Sequence, residues 1–115
     1  MSRSIIIKKP GGPDVLELTD TKVGSPGPNE IKITNLAIGL NYIDTYHRSG
    51  LYSLPMPSGI GLEAAGKIDE VGANVKEFNK GDNIAYASMP IGAYAQQRII
   101  PEKIAVKIPD GINHK

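Results

Sequence analysis

The stretch NYIDTYHRSGLY, Asn41 to Tyr52, gathers three of the five tyrosines in a chain of 115 residues, together with one of its two histidines. Asn41, Asp44, Thr45 and Arg48 add amide, carboxylate, hydroxyl and guanidinium groups within the same twelve residues. Three kinds of chemistry fit such a set: a ligand-facing wall of neutral donors, a metal site, or a polar, well-capped helical turn. A tyrosine hydroxyl has a reference pKa near ~10, so at neutral pH it is an uncharged donor. A zinc site asks for three or four ligands at suitable spacing. His47 with Asp44 supplies two, and the other histidine, His114, is the penultimate residue. The metal reading is therefore set aside in favour of a solvated helix histidine. Tyr42 and Tyr46, four apart, also fit a plain packing role on one helix face.

The residues around the cluster say what holds it. NYIDTYHR has no glycine or proline and is followed by Ser49 and Gly50. Asn41 is a good N-cap, and Asp44 falls at N3, where a carboxylate suits the helix N-terminus. Gly50 suits the left-handed residue that ends a helix. Asp44 and Arg48 are spaced to pair. A short helix is expected here, inserted in a chain whose remaining pattern is β.

That β pattern comes from 13 glycines and nine prolines punctuating short apolar runs. SIIIKK, VLELTDTKV, EIKITNLAIGL, GKIDEVG, DNIAYA, AYAQQRII and KIAVKI read as strands. In EIKITNLAIGL the apolar positions move from odd (Ile31, Ile33) to even (Leu36, Ile38, Leu40) around Asn35, which predicts a β-bulge. GIGLEA, Gly59 to Ala64, has the outline of a dinucleotide fingerprint. That motif must follow a strand and open a helix. Here it follows SLPMPS, whose Pro55 and Pro57 exclude an interior strand. Its glycines are expected in a turn or a close backbone contact.

Composition bounds the rest. One domain of this length buries roughly two-thirds of its unfolded surface. With no cysteine, it has neither disulfide nor thiolate metal site. Thirteen basic and twelve acidic residues nearly cancel, with no basic run of the kind that binds nucleic acid. The N-terminal apolar run is too short for a signal peptide or a membrane span. A cytoplasmic protein is expected.

GGPDVLEL, NEIKI, AIGLNYIDTYHRSGLY, PSGIGLEAAG, VGANVK and KGD followed by NIAY occur in order along nearly the whole chain. In this they resemble the N-terminal domain of NADPH-dependent quinone oxidoreductases, the zeta-crystallin-like branch of the medium-chain dehydrogenase/reductase superfamily. The resemblance implies a mainly β fold: a GroES-like, partly open β-barrel with one or two short helices, over residues 1–109. Residues 110–115 would begin a linker to a Rossmann domain that is absent from this chain and would hold most of the NADPH.

By the same resemblance, Asn41, Tyr46 and Tyr52 line the cleft where nicotinamide and quinone meet. Asn41 and Tyr46 lie on the cofactor side, and the two tyrosines shape the quinone pocket. Zinc-dependent relatives have cysteine in place of Asn41 and histidine in place of Leu62, so no metal is expected. Glu63 has a motif position without an assigned role. The implied partners are a quinone and a Rossmann domain on a separate chain, with self-association through the uncovered interface. Such a chain could be a shortened gene product or half of a split enzyme, and the 115 residues alone are expected to be inactive. Two other readings stand beside this one: a stand-alone or vestigial GroES-like module that binds a partner chain, and a co-chaperonin ring subunit, against which the reductase motifs argue.

Overall fold

The computed structural model describes residues 2–115. In chain order the strands are β1 (Ser2–Ile7), β2 (Glu17–Thr21), β3 (Glu30–Ile38), β4 (Ser58–Gly59), β5 (Glu63–Val71), β6 (Asn83–Ala87), β7 (Gln97–Pro101) and β8 (Val106–Lys107). One α-helix, α1 (Tyr42–Ser49), lies between β3 and β4, and 3-10 turns occupy Pro13–Val15 and Glu102–Ile104. The larger sheet runs β7-β3-β5-β6-β8 and the smaller β2-β1-β4, every pairing antiparallel. The two sheets meet where β1 lies along residues 94–97, through an isolated Ser4–Ala95 bridge and the bonds Ile5 N–H to Tyr94 O (2.8 Å) and Gln96 N–H to Arg3 O (2.8 Å). The sheets do not close on each other, so this is the expected mainly β, partly open barrel with one α-helix.

The core is aliphatic. Ile31, Ile33, Ile68, Ile84 and Ile100 are fully buried, and Ala64, Val75, Phe78, Tyr86 and Ala93 pack with them. Ile31 and Ile33 face inward from alternate positions, as a period of two requires. The bulge predicted at Asn35 is present: the β3–β5 register shifts between Asn35 and Ala37, and again between Lys32 and Ile33. Its consequence differs from the simple alternation. Beyond it, Leu36 (52%), Ile38 (45%) and Leu40 (78%) are exposed rather than core, because the extra residue turns the end of β3 out of the barrel wall.

Asn35 uses every polar atom of its side chain. Its Nδ2 donates to the carbonyls of Ala93 (3.1 Å) and Ala95 (2.9 Å), and its Oδ1 accepts from the Tyr86 hydroxyl (3.1 Å). The bulge thereby fixes the 93–95 loop, which carries Tyr94. Gly66, paired with Asn35 on β5, gives the room: a Cβ there would collide with the Thr34 carbonyl oxygen and lie 3.0 Å from Asn35 Cα.

Gly66→Ala is therefore expected to destabilise the fold by about 1–3 kcal/mol, the usual cost of overpacking against backbone. Urea unfolding of the variant beside wild type measures it, and an unchanged midpoint would show that β3 can shift to accommodate the methyl group.

Candidate functional site

Helix α1 forms as its caps predict. Asn41 is extended (φ −124°, ψ 155°) and makes a capping box with Asp44, whose Oδ2 accepts the Asn41 N–H at 3.1 Å. Gly50 ends the helix in the left-handed region (φ 88°). The C-terminal turn is tied to the loop before the first 3-10 turn. There the Gly11 N–H donates to Arg48 O (2.9 Å), and Arg48 Nε donates to Gly11 O (3.2 Å).

The expected Asp44–Arg48 pair does not form. Arg48 is used on Gly11, and Asp44 turns inward, 2% exposed, to accept the Tyr94 hydroxyl at 2.6 Å. His47 is not the solvated histidine expected from sequence: it is buried, with its ring 6.0 Å from that of Tyr52. Asp44 Oδ1 and His47 Nδ1 are both buried without a hydrogen-bond partner among the described residues. Tyr42 and Tyr46 do not pack against the core. Tyr42 is 84% exposed and Tyr46 38%, because Asp44 and His47 take the inward face.

The outward face carries two of the tyrosine rings. Tyr46 and Tyr52 meet edge to face at 5.6 Å, and the Tyr52 N–H donates to Tyr46 O (3.2 Å), which folds the segment after the helix back onto it. Both rings are partly exposed, and neither hydroxyl is engaged by another described residue. Asn41 caps the N-terminus of the helix, five residues before Tyr46, its Nδ2 donating to Glu63 Oε1 at 3.1 Å. The structure thus pairs Tyr46 with Tyr52, and Asn41 with Glu63. Among the described residues no group of three or more His, Asp or Glu side chains is arranged to hold a metal ion.

Two grooves lie at the end of β3, and none of residues 41–52 lines either. One, of about 540 Å³, is lined by Ile5, Leu18, Ile38, Leu40 and Tyr94 among others; the second, of about 550 Å³, by Ile38, Glu63, Tyr86 and Val106 among others. Gly39 borders both, while Tyr46 and Tyr52 lie outside them.

The residue that sequence reading missed is Tyr94. Its hydroxyl bonds Asp44 and its ring covers Gly61, where a Cβ would lie 2.5 Å from Tyr94 Cδ1. Gly61 has φ 96°, and Glu63 opens β5 rather than a helix, so GIGLEA is a close-packing turn and not a phosphate loop. The one sequence signal for this contact was the glycine itself. Burial first, then the hydrogen bond to Asp44 and its charge, raise the Tyr94 pKa well above that of a free phenol. Tyr94 therefore remains a donor.

The model of the alcohol dehydrogenase GroES-like domain matches residues 27–110, and the chain belongs to this family, the N-terminal domain of the medium-chain dehydrogenase/reductase superfamily. It is 48% identical over 114 residues to the quinone oxidoreductase of Pseudomonas aeruginosa, covering 98% of this chain and 35% of that protein. To the 2-haloacrylate reductase of a Burkholderia species it is 39% identical, covering 98% of this chain and 35% of the relative. The crystal structure of Escherichia coli quinone oxidoreductase complexed with NADPH superposes with a TM-score of 0.95 at 43% identity, covering 99% of this chain and 35% of that one. The chain thus spans about a third of the length of the relatives it matches.

Tyr94→Phe removes the sole donor to Asp44 Oδ2 from outside the helix cap. It is expected to cost about 1.5–3 kcal/mol, the range for a hydrogen bond to a charged group. Because the Tyr94 pKa is raised on folding, the proton is held more tightly in the native state. Its contribution is complete below about pH 10 and is lost as pH rises above that. Urea unfolding at rising pH should show wild-type stability falling above that point and a shallower fall in Tyr94→Phe; equal slopes would contradict the assignment.

Proposed function

We propose that this chain is the substrate-side domain of an NADPH-dependent quinone reductase that works without zinc. The observation carrying this reading is the exposed side of α1 and the segment folded back on it, where two tyrosines with adjacent rings and the Asn41 amide are presented without partners that would consume all their donors. The activities of the relatives, quinone oxidoreduction among them, supply the class of reaction.

NADPH, when bound, supplies a hydride, and the quinone accepts it as an electrophile. The residues fit that use. Tyr46 and Tyr52 are neutral donors suited to the negative charge that develops on a quinone oxygen. Asn41, with an exposed amide, would hold the nicotinamide end. The phosphates would need a dinucleotide-binding domain, because GIGLEA is a close-packing turn. That domain would belong to the same longer chain or to a separate one. The exposed apolar residues Leu36, Ile38 and Leu40 would lie beneath it, or beneath a second copy of the chain in its absence. The absence of zinc rests on Asn41 and Leu62 standing where the zinc-dependent branch has cysteine and histidine. A cytoplasmic setting agrees with a chain free of cysteine.

The 39% identity to a 2-haloacrylate reductase favours a second acceptor class. Like a quinone, a 2-haloacrylate carries a carbon–carbon double bond conjugated to an electron-withdrawing group. Its carboxylate is anionic, and the α1 face described above offers neutral donors, which favours the quinone.

The 115 residues alone are expected to show no NADPH-dependent quinone reduction, and addition of a matching Rossmann domain as a separate chain should restore turnover. In that pair Tyr46→Phe and Tyr52→Phe should each slow turnover, by less than the roughly 10²–10³ that loss of one essential donor costs, since the two hydroxyls share the role. Steady-state assays with quinone and with 2-haloacrylate read both points. Full activity of the chain alone would contradict the division of labour, and wild-type rates in both variants would reduce the tyrosines to packing.

A further inference from the structure

Glu63 has so far only a partner. The Glu63 carbonyl accepts the Gly39 N–H at 3.1 Å, so the first residue of β5 lies against the chain just past the end of β3. The Glu63 side chain then crosses over Gly39. A Cβ on Gly39 would collide with the carboxylate itself, its Oε1 included. The absence of a side chain at residue 39 is therefore what lets Glu63 reach Asn41, twenty-two positions away in sequence.

We propose that Glu63 is a positioning residue that sets which way the Asn41 amide faces. An ionised carboxylate only accepts hydrogen bonds. Asn41 must therefore turn its nitrogen, not its oxygen, toward Glu63, as the 3.1 Å bond records. The oxygen is then on the side of the capping box with Asp44. Of the amide's groups, one N–H remains for a ligand, so Asn41 is committed to donating. A carbonyl oxygen is the group such a donor takes, whether the carboxamide of a nicotinamide or a quinone. This last identification rests on the proposed reductase function; the orientation of Asn41 does not.

Two substitutions break the pair by different routes. In Glu63→Gln the side chain both donates and accepts, so the Asn41 amide loses its reason to face one way. In Gly39→Ala the carboxylate keeps its charge but loses its path. The ¹⁵N–¹H spectrum of the 115-residue chain reads the outcome directly. In wild type the Asn41 side-chain NH₂ should give two well-separated proton signals with the restrained dynamics of a fixed amide. In both variants these should collapse toward the values of a free asparagine, while backbone signals of the five-stranded sheet stay in place. Should Gly39→Ala fail to fold, Glu63→Gln still decides the matter. Unchanged Asn41 side-chain signals in the folded variants overturn the proposal.

A second arm uses the chain paired with a Rossmann domain. There Glu63→Gln should lower kcat about tenfold with little change in quinone KM, short of the ~100-fold that an ångström of misplacement can cost. Loss of the Asn41 signature with kcat unchanged would overturn the ligand-facing half of the proposal. Absence of any activity in the wild-type pair would count against the reductase reading and leave the spectroscopic result standing.

Discussion

The site hangs on one buried carboxylate. Helix α1 is a polar insert in a β domain, eight residues long and rich in groups that water would solvate equally well. Isolated helices of that length are not stable in water. What fixes it is Asp44, which closes the N-terminal cap through its bond to Asn41 N–H and accepts the Tyr94 hydroxyl at 2.6 Å. The same oxygen, Oδ2, serves both. The N-terminal cap of the helix and its bond to Tyr94 therefore share one carboxylate oxygen, while the bonds to Gly11 tie down the C-terminal turn.

The other end of that interaction is equally determined. Tyr94 sits in a loop whose carbonyls at Ala93 and Ala95 are held by Asn35, the residue at the bulge of β3. Gly66 makes room for the bulge, and Gly61 makes room for the Tyr94 ring. The chain of contacts runs from the sheet through the bulge, the loop and Tyr94 to Asp44, and so to the outward face of α1. A hydrogen bond to a buried charge is worth more than one between neutral groups, and leaving that charge without its donor costs more still. This concentration of consequence at one carboxylate explains why the exposed tyrosines keep a defined place although little of the core touches them.

Sequence reading recovered what depends on near neighbours. The caps at Asn41 and Gly50, the bulge at Asn35 and the wrong context of GIGLEA each follow from residues within a few positions, where propensity and steric rules act. It did not recover what depends on which face of α1 turns inward. Tyr42 and Tyr46 satisfy a helical spacing as well as Asp44 and His47 do, and spacing carries no sign. The choice is made by Tyr94, fifty residues further on, and by Gly11, which removes Arg48 from reach of Asp44. The partner of Glu63 was hidden for the same reason, since its contact with Asn41 exists only because β5 returns beside β3. Family resemblance supplied Asn41, Tyr46 and Tyr52 together as a site; the structure adds their neighbours, Glu63 bonded to the Asn41 amide and the Tyr46 and Tyr52 rings edge to face.

The most direct test of this account is the ¹⁵N–¹H correlation spectrum of Asp44→Ala. If Asp44 holds the site, backbone signals of residues 41–52 and of the 93–96 loop should shift or broaden together, while those of β3, β5, β6 and β7 remain at their wild-type positions. Wild-type signals throughout α1 in the folded variant would show that the helix is held by something other than this carboxylate.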